Sequence, residues 1–163
     1  MTADELAREI RSQFGPGDRL APEAVVAHVC EECMDIAAAF GGQLWPEIAP
    51  DIIDQHYQSL PLFAPAAFRQ FLPGFLLRGL ERSGRSSGAN DVAEFTLYTL
   101  CPDTVTPWWR ERVDGLTDAQ SYVVAQWLGH LQGLSGDYFG PPPLEAWEYW
   151  EARSVGIPEH RDR

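Results

Sequence analysis

Lysine is absent from this chain, so all 12 basic side chains are arginines, and they face 24 carboxylates for a formal charge of −12. A balance this acidic argues against general binding to nucleic-acid phosphate. It leaves two readings, a solubilising surface or a site for a basic partner. Long apolar runs are missing too. No stretch is long enough to span a bilayer, and the N-terminus lacks the basic-then-apolar order of a signal peptide, so no membrane attachment is expected. Cysteine is scarce, and its odd count of three predicts reduced thiols in a cytoplasmic protein rather than a disulfide framework. A glycine-rich phosphate loop, a dinucleotide fingerprint and a catalytic dyad are also wanting.

What the chain does have is apolar and aromatic mass. Its 163 residues are 12% aromatic and include six tryptophans, enough to build one core, and a single helical domain is expected over residues 1–163. The longest apolar periodic run is LPLFAPAAFRQFLPGFLLRGLE, Leu60 to Glu81. Phe68, Phe71, Leu72, Phe75, Leu76 and Leu80 recur at helical spacing and predict one wide inward stripe. Pro73 lacks an N–H and crowds the carbonyl of Arg69, which predicts a kink or division at Leu72. The expected fold is all-α, a compact bundle of six to eight helices around this proline-kinked segment.

The remaining elements follow from caps and breakers. Thr2 and Glu5 form a capping box opening a helix to Phe14, with Leu6, Ile10 and Phe14 on one side. A second helix is expected from Pro22 to Phe40, ended by Gly41-Gly42, with Val26, Val29, Cys30, Cys33, Ile36, Ala37 and Phe40 as its apolar stripe. Pro50 and Asp51 start a short helix. SGRSSGAND predicts a mobile loop over 83–91. Val92 to Leu100 fits both helix and strand spacing; a lone strand would find nothing to pair with, so helix is expected. Pro107 begins a short helix carrying Trp108 and Trp109. Thr117 and Gln120 form a second capping box, ahead of a helix burying Val124, Trp127, Leu128 and Leu131. Leu144, Trp147 and Trp150 mark a last helix, and the tail from 156 is expected to fray.

Trp45, the segment Leu60–Glu81, LTDAQ (Leu116 to Gln120) and EYW (Glu148 to Trp150) together resemble a group of small, mostly bacterial proteins that carry a domain of unknown function. The resemblance covers about two thirds of the chain. It implies a compact helical domain and carries over no catalytic residue. The first forty residues, with Cys30 and Cys33, lie outside it.

Four constellations touch on chemistry. His28-x-Cys30-x-x-Cys33 has the look of half a zinc or redox site. On a continuous helix, at about 100° per residue, Cys30 and Cys33 share the apolar stripe while His28 points more than a third of a turn away. One metal would reach all three only if the helix unwound there, so both thiols are expected reduced, unligated and buried as core hydrophobes. Cys101 would add a third thiolate only if the fold brought it alongside. Opposite the stripe, His28, Glu31, Glu32 and Asp35 face solvent, and Asp51, Asp54 and His56 follow on the next helix. Facing carboxylates and imidazoles build metal sites in bundles, but the doubled Glu-x-x-His spacing is absent, and a solvated acidic face explains the same residues. GRSSG formally matches a nucleophile elbow around Ser86, yet that motif needs a strand before it and a helix after it. His130 reads as an ordinary helix histidine. Lastly, adjacent tryptophans on a short helix cannot both point inward, so Trp108 or Trp109 should be exposed beside Arg110 and Arg112.

The favoured function is therefore a non-catalytic, acidic protein-binding domain that recognises a basic protein, as immunity proteins and antitoxins do. Its binding residues would be Glu31, Glu32, Asp35, Trp108 and Trp109, with no cofactor, metal or catalytic residue. The alternatives are a metal-dependent hydrolase built on His28, Asp51, Asp54 and His56, and a zinc or thiol protein using Cys30 and Cys33.

Overall fold

Local signals start the helices. In α1 (Ala3–Phe14) the Glu5 N–H donates to Thr2 Oγ1 at 3.2 Å while the Thr2 N–H donates back to the Glu5 carboxylate at 2.7 Å. Proline opens α2 (Pro22–Val25), α4 (Pro50–Gln55), α5 (Pro65–Ser83) and α7 (Pro107–Val113), where its missing N–H costs no helical hydrogen bond. Thr106 caps α7 by accepting from the Trp109 N–H, and Thr117 and Gln120 exchange bonds of 3.2 and 3.0 Å ahead of α8 (Asp118–Ser135). With α3 (Glu31–Phe40), α6 (Asp91–Leu100) and α9 (Leu144–Ser154), the described residues form nine α-helices and two short 3-10 turns, Trp45–Glu47 and Leu60–Leu62. This computed structural model describes residues 1–83, 91–135 and 144–154; the expected loop over 83–91, apart from its two end residues, and the expected frayed tail lie outside them.

All-α architecture is as expected, and the ambiguous stretch from 92 to 100 is helix. No strand occurs among the described residues, only an isolated antiparallel bridge between Val26 and Phe63. The helix count exceeds the expected six to eight because the second helix is two. Val26 and Val29 are β-branched, which lowers helix propensity slightly, and the chain leaves α2 in extended form at Val26 (φ −121°, ψ 148°). There the Val25 carbonyl accepts from the Ala64 N–H at 2.9 Å. Helix resumes only at Glu31, with Cys30 as its extended N-cap.

The segment around Pro73 is buried more completely than a stripe would be. Every residue from Gln70 to Leu80 except Arg78 is buried, so α5 is wrapped on all sides. It packs against α1, α2, α4, α6, α7 and α8. Pro73 does not divide it; α5 runs unbroken from Pro65 to Ser83. A proline inside a helix costs about 3 kcal/mol. Burying Phe71, Leu72, Phe75 and Leu76 around it contributes about 1.5–3 kcal/mol each, so packing wins. Close approach is built in at Gly79, where a Cβ would fall 2.9 Å from the Trp127 ring, and Trp127 Nε1–H donates to the Leu76 carbonyl at 2.9 Å.

One hydrophobic cluster runs from Leu6 to Trp150. At its centre Phe40 meets Phe63 and Phe71 edge-on, both with centroids 5.0 Å away, and Phe75 at 6.2 Å. A second aromatic group joins Trp109 to Tyr149 and Trp150 at 4.8 and 6.0 Å. Polar side chains fasten the loops to this core. Gln70 accepts from the Asp18 N–H at 2.9 Å, over Gly17, whose φ of +73° and lack of a Cβ let the amide lie against it. Buried Arg112 donates to the Phe63 carbonyl at 2.7 and 3.2 Å and to the Trp108 carbonyl at 2.9 Å.

Two substitutions test this framework. Phe75→Ala should destabilise by about 3–5 kcal/mol through the cavity it leaves, read from denaturant unfolding. Arg112→Met keeps the volume but leaves the Phe63 carbonyl without its donor, and should cost about 2–4 kcal/mol. A melting temperature within a degree or two of wild type for either would contradict the packing described.

Candidate functional site

The break between α2 and α3 gathers the first constellation. In a continuous helix His28 would point away from both thiols; in the extended link it turns back. His28 Nδ1 lies 3.8 Å from Cys33 Sγ, and the Cys33 N–H donates to Cys30 Sγ at 3.3 Å. One ligand atom from each of His28, Cys30 and Cys33 falls within 4.8 Å of the others, the only such trio of His, Cys, Asp or Glu among the described residues. His28 is exposed, Cys30 half-buried and Cys33 buried. The expectation that both thiols are buried is corrected for Cys30, which caps α3 rather than facing the core. Val29, expected in the stripe, is 88% exposed for the same reason. The hydrogen bond with Cys30, followed by burial, raises the Cys33 thiol above its ordinary range. Cys101 joins neither; it lies in the core, and burial pushes its thiol up to about 12.

Glu31 and Glu32 occupy the first turn of α3, where carboxylates favour the helix dipole, and both are exposed, as is Asp35. Glu32 and Asp35 line a cleft of about 250 Å³ with Gln55, His56, Tyr57, Gln58 and Ser59. Among the described residues none of the three carboxylates is ion-paired. The arginines are engaged elsewhere: Arg19 with Glu47, Arg78 with Asp54 and Glu81, Arg110 and Arg153 with Asp114, Arg69 and Arg112 with backbone carbonyls.

The set named for a hydrolase, His28, Asp51, Asp54 and His56, forms no group of three or more ligand atoms close enough to share one metal among the described residues. Both oxygens of Asp54 are clamped by Arg78, at 2.8 and 2.5 Å, and that pairing raises the Arg78 pKa. His56 packs T-shaped with Phe40, their ring centroids 5.6 Å apart, and holds Nδ1 3.5 Å from Ser59 Oγ. Ser86 and its GRSSG motif fall outside the described residues. His130 is half-buried in a cleft of about 370 Å³ with Trp147, Trp150 and Glu151.

The tryptophan pair divides as helical geometry requires. Trp109 is 1% exposed, and its Nε1–H donates to the Thr99 carbonyl at 3.0 Å, so its expected place among surface binding residues is corrected: it belongs to the core. Trp108 is 42% exposed, with its ring centroid 3.8 Å from the Arg112 guanidinium carbon. Arg112 is itself buried, not a surface partner of the ring, and burial lowers its pKa. Arg110 lies over Tyr149 at 4.8 Å.

Sequence reasoning missed a larger cleft of about 510 Å³, lined among others by Arg11, Trp45, Pro46, Leu77, Arg78 and Glu81. Its walls come from distant stretches, and no local motif marks it. Comparisons of the chain with family models, with curated proteins and with solved structures give no match.

The thiols supply a test. In the native protein Cys30 should be alkylated first, with Cys33 and Cys101 protected until denaturation. Because folding raises the Cys101 pKa, the unfolded chain releases that proton first as pH rises. The stabilisation is complete below the unfolded value of 9.0 and is lost toward about 12. Burial raises Tyr149 in the same sense. Urea midpoints should therefore fall through this alkaline window, and Cys101→Ala should flatten part of the slope.

Proposed function

We propose that this chain is a non-catalytic binding domain that docks a basic protein surface, in the manner of an immunity protein or antitoxin of the cytoplasm. The observation that carries the proposal is Trp108, a large ring left in solvent and held in one pose by a guanidinium that is itself locked by backbone carbonyls. An anchor fixed before encounter loses little side-chain freedom on binding, and exposed tryptophans are typical of binding hot spots. Glu31, Glu32 and Asp35 supply the second element. Among the described residues no cation pairs with them, and complementary charge on a partner would accelerate association. Phe63 ties the chain around both elements: its backbone pairs with Val26 in the link ahead of α3, and its carbonyl accepts from Arg112 beneath Trp108. Behind them stands α5, and we infer that Pro73 bends it.

Affinity capture with the wild-type chain, run beside two variants, tests the proposal. Wild type should retain a basic protein. Trp108→Ala should mainly speed its release, at a cost of about 2 kcal/mol or more. Glu31→Lys combined with Asp35→Lys should slow association and flatten its salt dependence. Should wild type hold no protein, or both variants hold it as well as wild type does, the binding proposal fails.

A further inference from the structure

The geometry points to a metal site that lies beyond the docking proposal: His28, Cys30 and Cys33 form a three-ligand centre for a soft divalent cation, zinc above all, with the fourth position open to solvent.

Three observations converge on it. The first is backbone placement. Val26 is pinned to Phe63, Cys30 is extended at φ −151° and ψ 171°, and the residues between them carry His28 back over the start of α3. A helix would have separated these ligands, so their meeting depends on the break. The second is size. Tetrahedral zinc with bonds of about 2.3 Å to sulfur and 2.0–2.1 Å to nitrogen sets its ligands about 3.5–3.8 Å apart. The His28 Nδ1 to Cys33 Sγ separation of 3.8 Å is already such an edge, and the widest separation allowed in the group, 4.8 Å, must close by only about 1 Å.

The third is ligand chemistry. Two thiolates and an imidazole select zinc over magnesium or calcium, which prefer oxygen. The Cys33 N–H already points at Cys30 Sγ, a second-sphere bond that would hold a thiolate in place. Glu31, Glu32 and Asp35 stand beside the trio and make the local field attractive to a cation. Binding exchanges the two thiol protons for the metal, Zn²⁺ in and 2 H⁺ out, leaving a neutral centre with imidazole as third ligand. His28 lies in solvent, and among the described residues no fourth His, Cys, Asp or Glu joins the trio. Its consequence is to tie the exposed link to α3 and fix the start of that helix.

The full chain, reduced and stripped of metal by chelator, is titrated first with Co²⁺ as a spectroscopic probe and then with Zn²⁺. One equivalent of cobalt should give the intense visible bands of a tetrahedral centre and a thiolate charge-transfer band, and one equivalent of zinc should erase them and release protons. His28→Ala changes only an exposed side chain, and Cys30→Ser retains an N-cap oxygen for the Cys33 N–H, so both variants should fold. Each should weaken zinc binding by about tenfold or more. A weak octahedral cobalt spectrum would overturn the assignment on wild type alone. Binding untouched by either variant but lost in Glu31→Gln with Glu32→Gln would transfer it to surface carboxylates. A Cys30–Cys33 disulfide forming readily in a reduced chain that takes up no metal would identify a redox pair and refute the metal site.

Discussion

Phe63 is gripped in three ways at once, and the surface of the molecule depends on it. Its ring sits among Phe40, Phe71 and Phe75 in the core. Its backbone pairs with Val26, and its carbonyl takes two bonds from the buried Arg112 guanidinium. Core packing therefore fixes a stretch of main chain, and that stretch sets both the extended link carrying His28 and the shelf on which Trp108 stands. Among the described residues Arg112 pairs with no carboxylate; its charge is balanced by carbonyl dipoles and an aromatic face. Such a group is expensive to desolvate and persists only with its donors fully used.

The absence of lysine acquires a structural meaning here. Guanidinium is planar and presents several donors in fixed directions, so one side chain can span separate backbone carbonyls, which an ammonium does less well. Arg112 does this between Phe63 and Trp108, and Arg69 between Glu111 and Arg112. Arg19 grips a carboxylate and the Gly42 carbonyl together. Among the described residues, these cations of an acidic chain are thus spent as fasteners, and none of them pairs with the carboxylates of α3.

Much of the fold was readable before the structure. Thr2 with Glu5, and Thr117 with Gln120, make the bonds their spacing predicts, since a cap involves only neighbours in sequence. Pro50 and Pro107 start helices for the same local reason. What could not be read was decided over distance. Periodicity carried the second helix straight through Val26–Cys30, because nothing nearby records that Phe63 would draw Val26 into an extended pair. Asp54 looked available to a metal, yet Arg78 from another helix holds it. Helical spacing required one of Trp108 and Trp109 to face out; which one depended on where the Thr99 carbonyl lay. Each candidate site was legible as a set of residues and illegible as an arrangement.

The partnership of α1 with α8 also bears on how the chain reaches this state. The apolar face of α1, Leu6 and Ile10, is fully buried, and Gln120 reaches back to the Gln13 carbonyl across 107 residues. Its capping box favours a helical turn in isolation, but its greasy side is fully covered only once both α5 and α8 exist and dock. Closing so long a loop loses entropy that grows only slowly with length, about (3/2)RT ln n, and still must precede any contact that rewards it. Assembly is therefore slower than the helical content alone would imply, and partly built chains present the α1 face to water meanwhile.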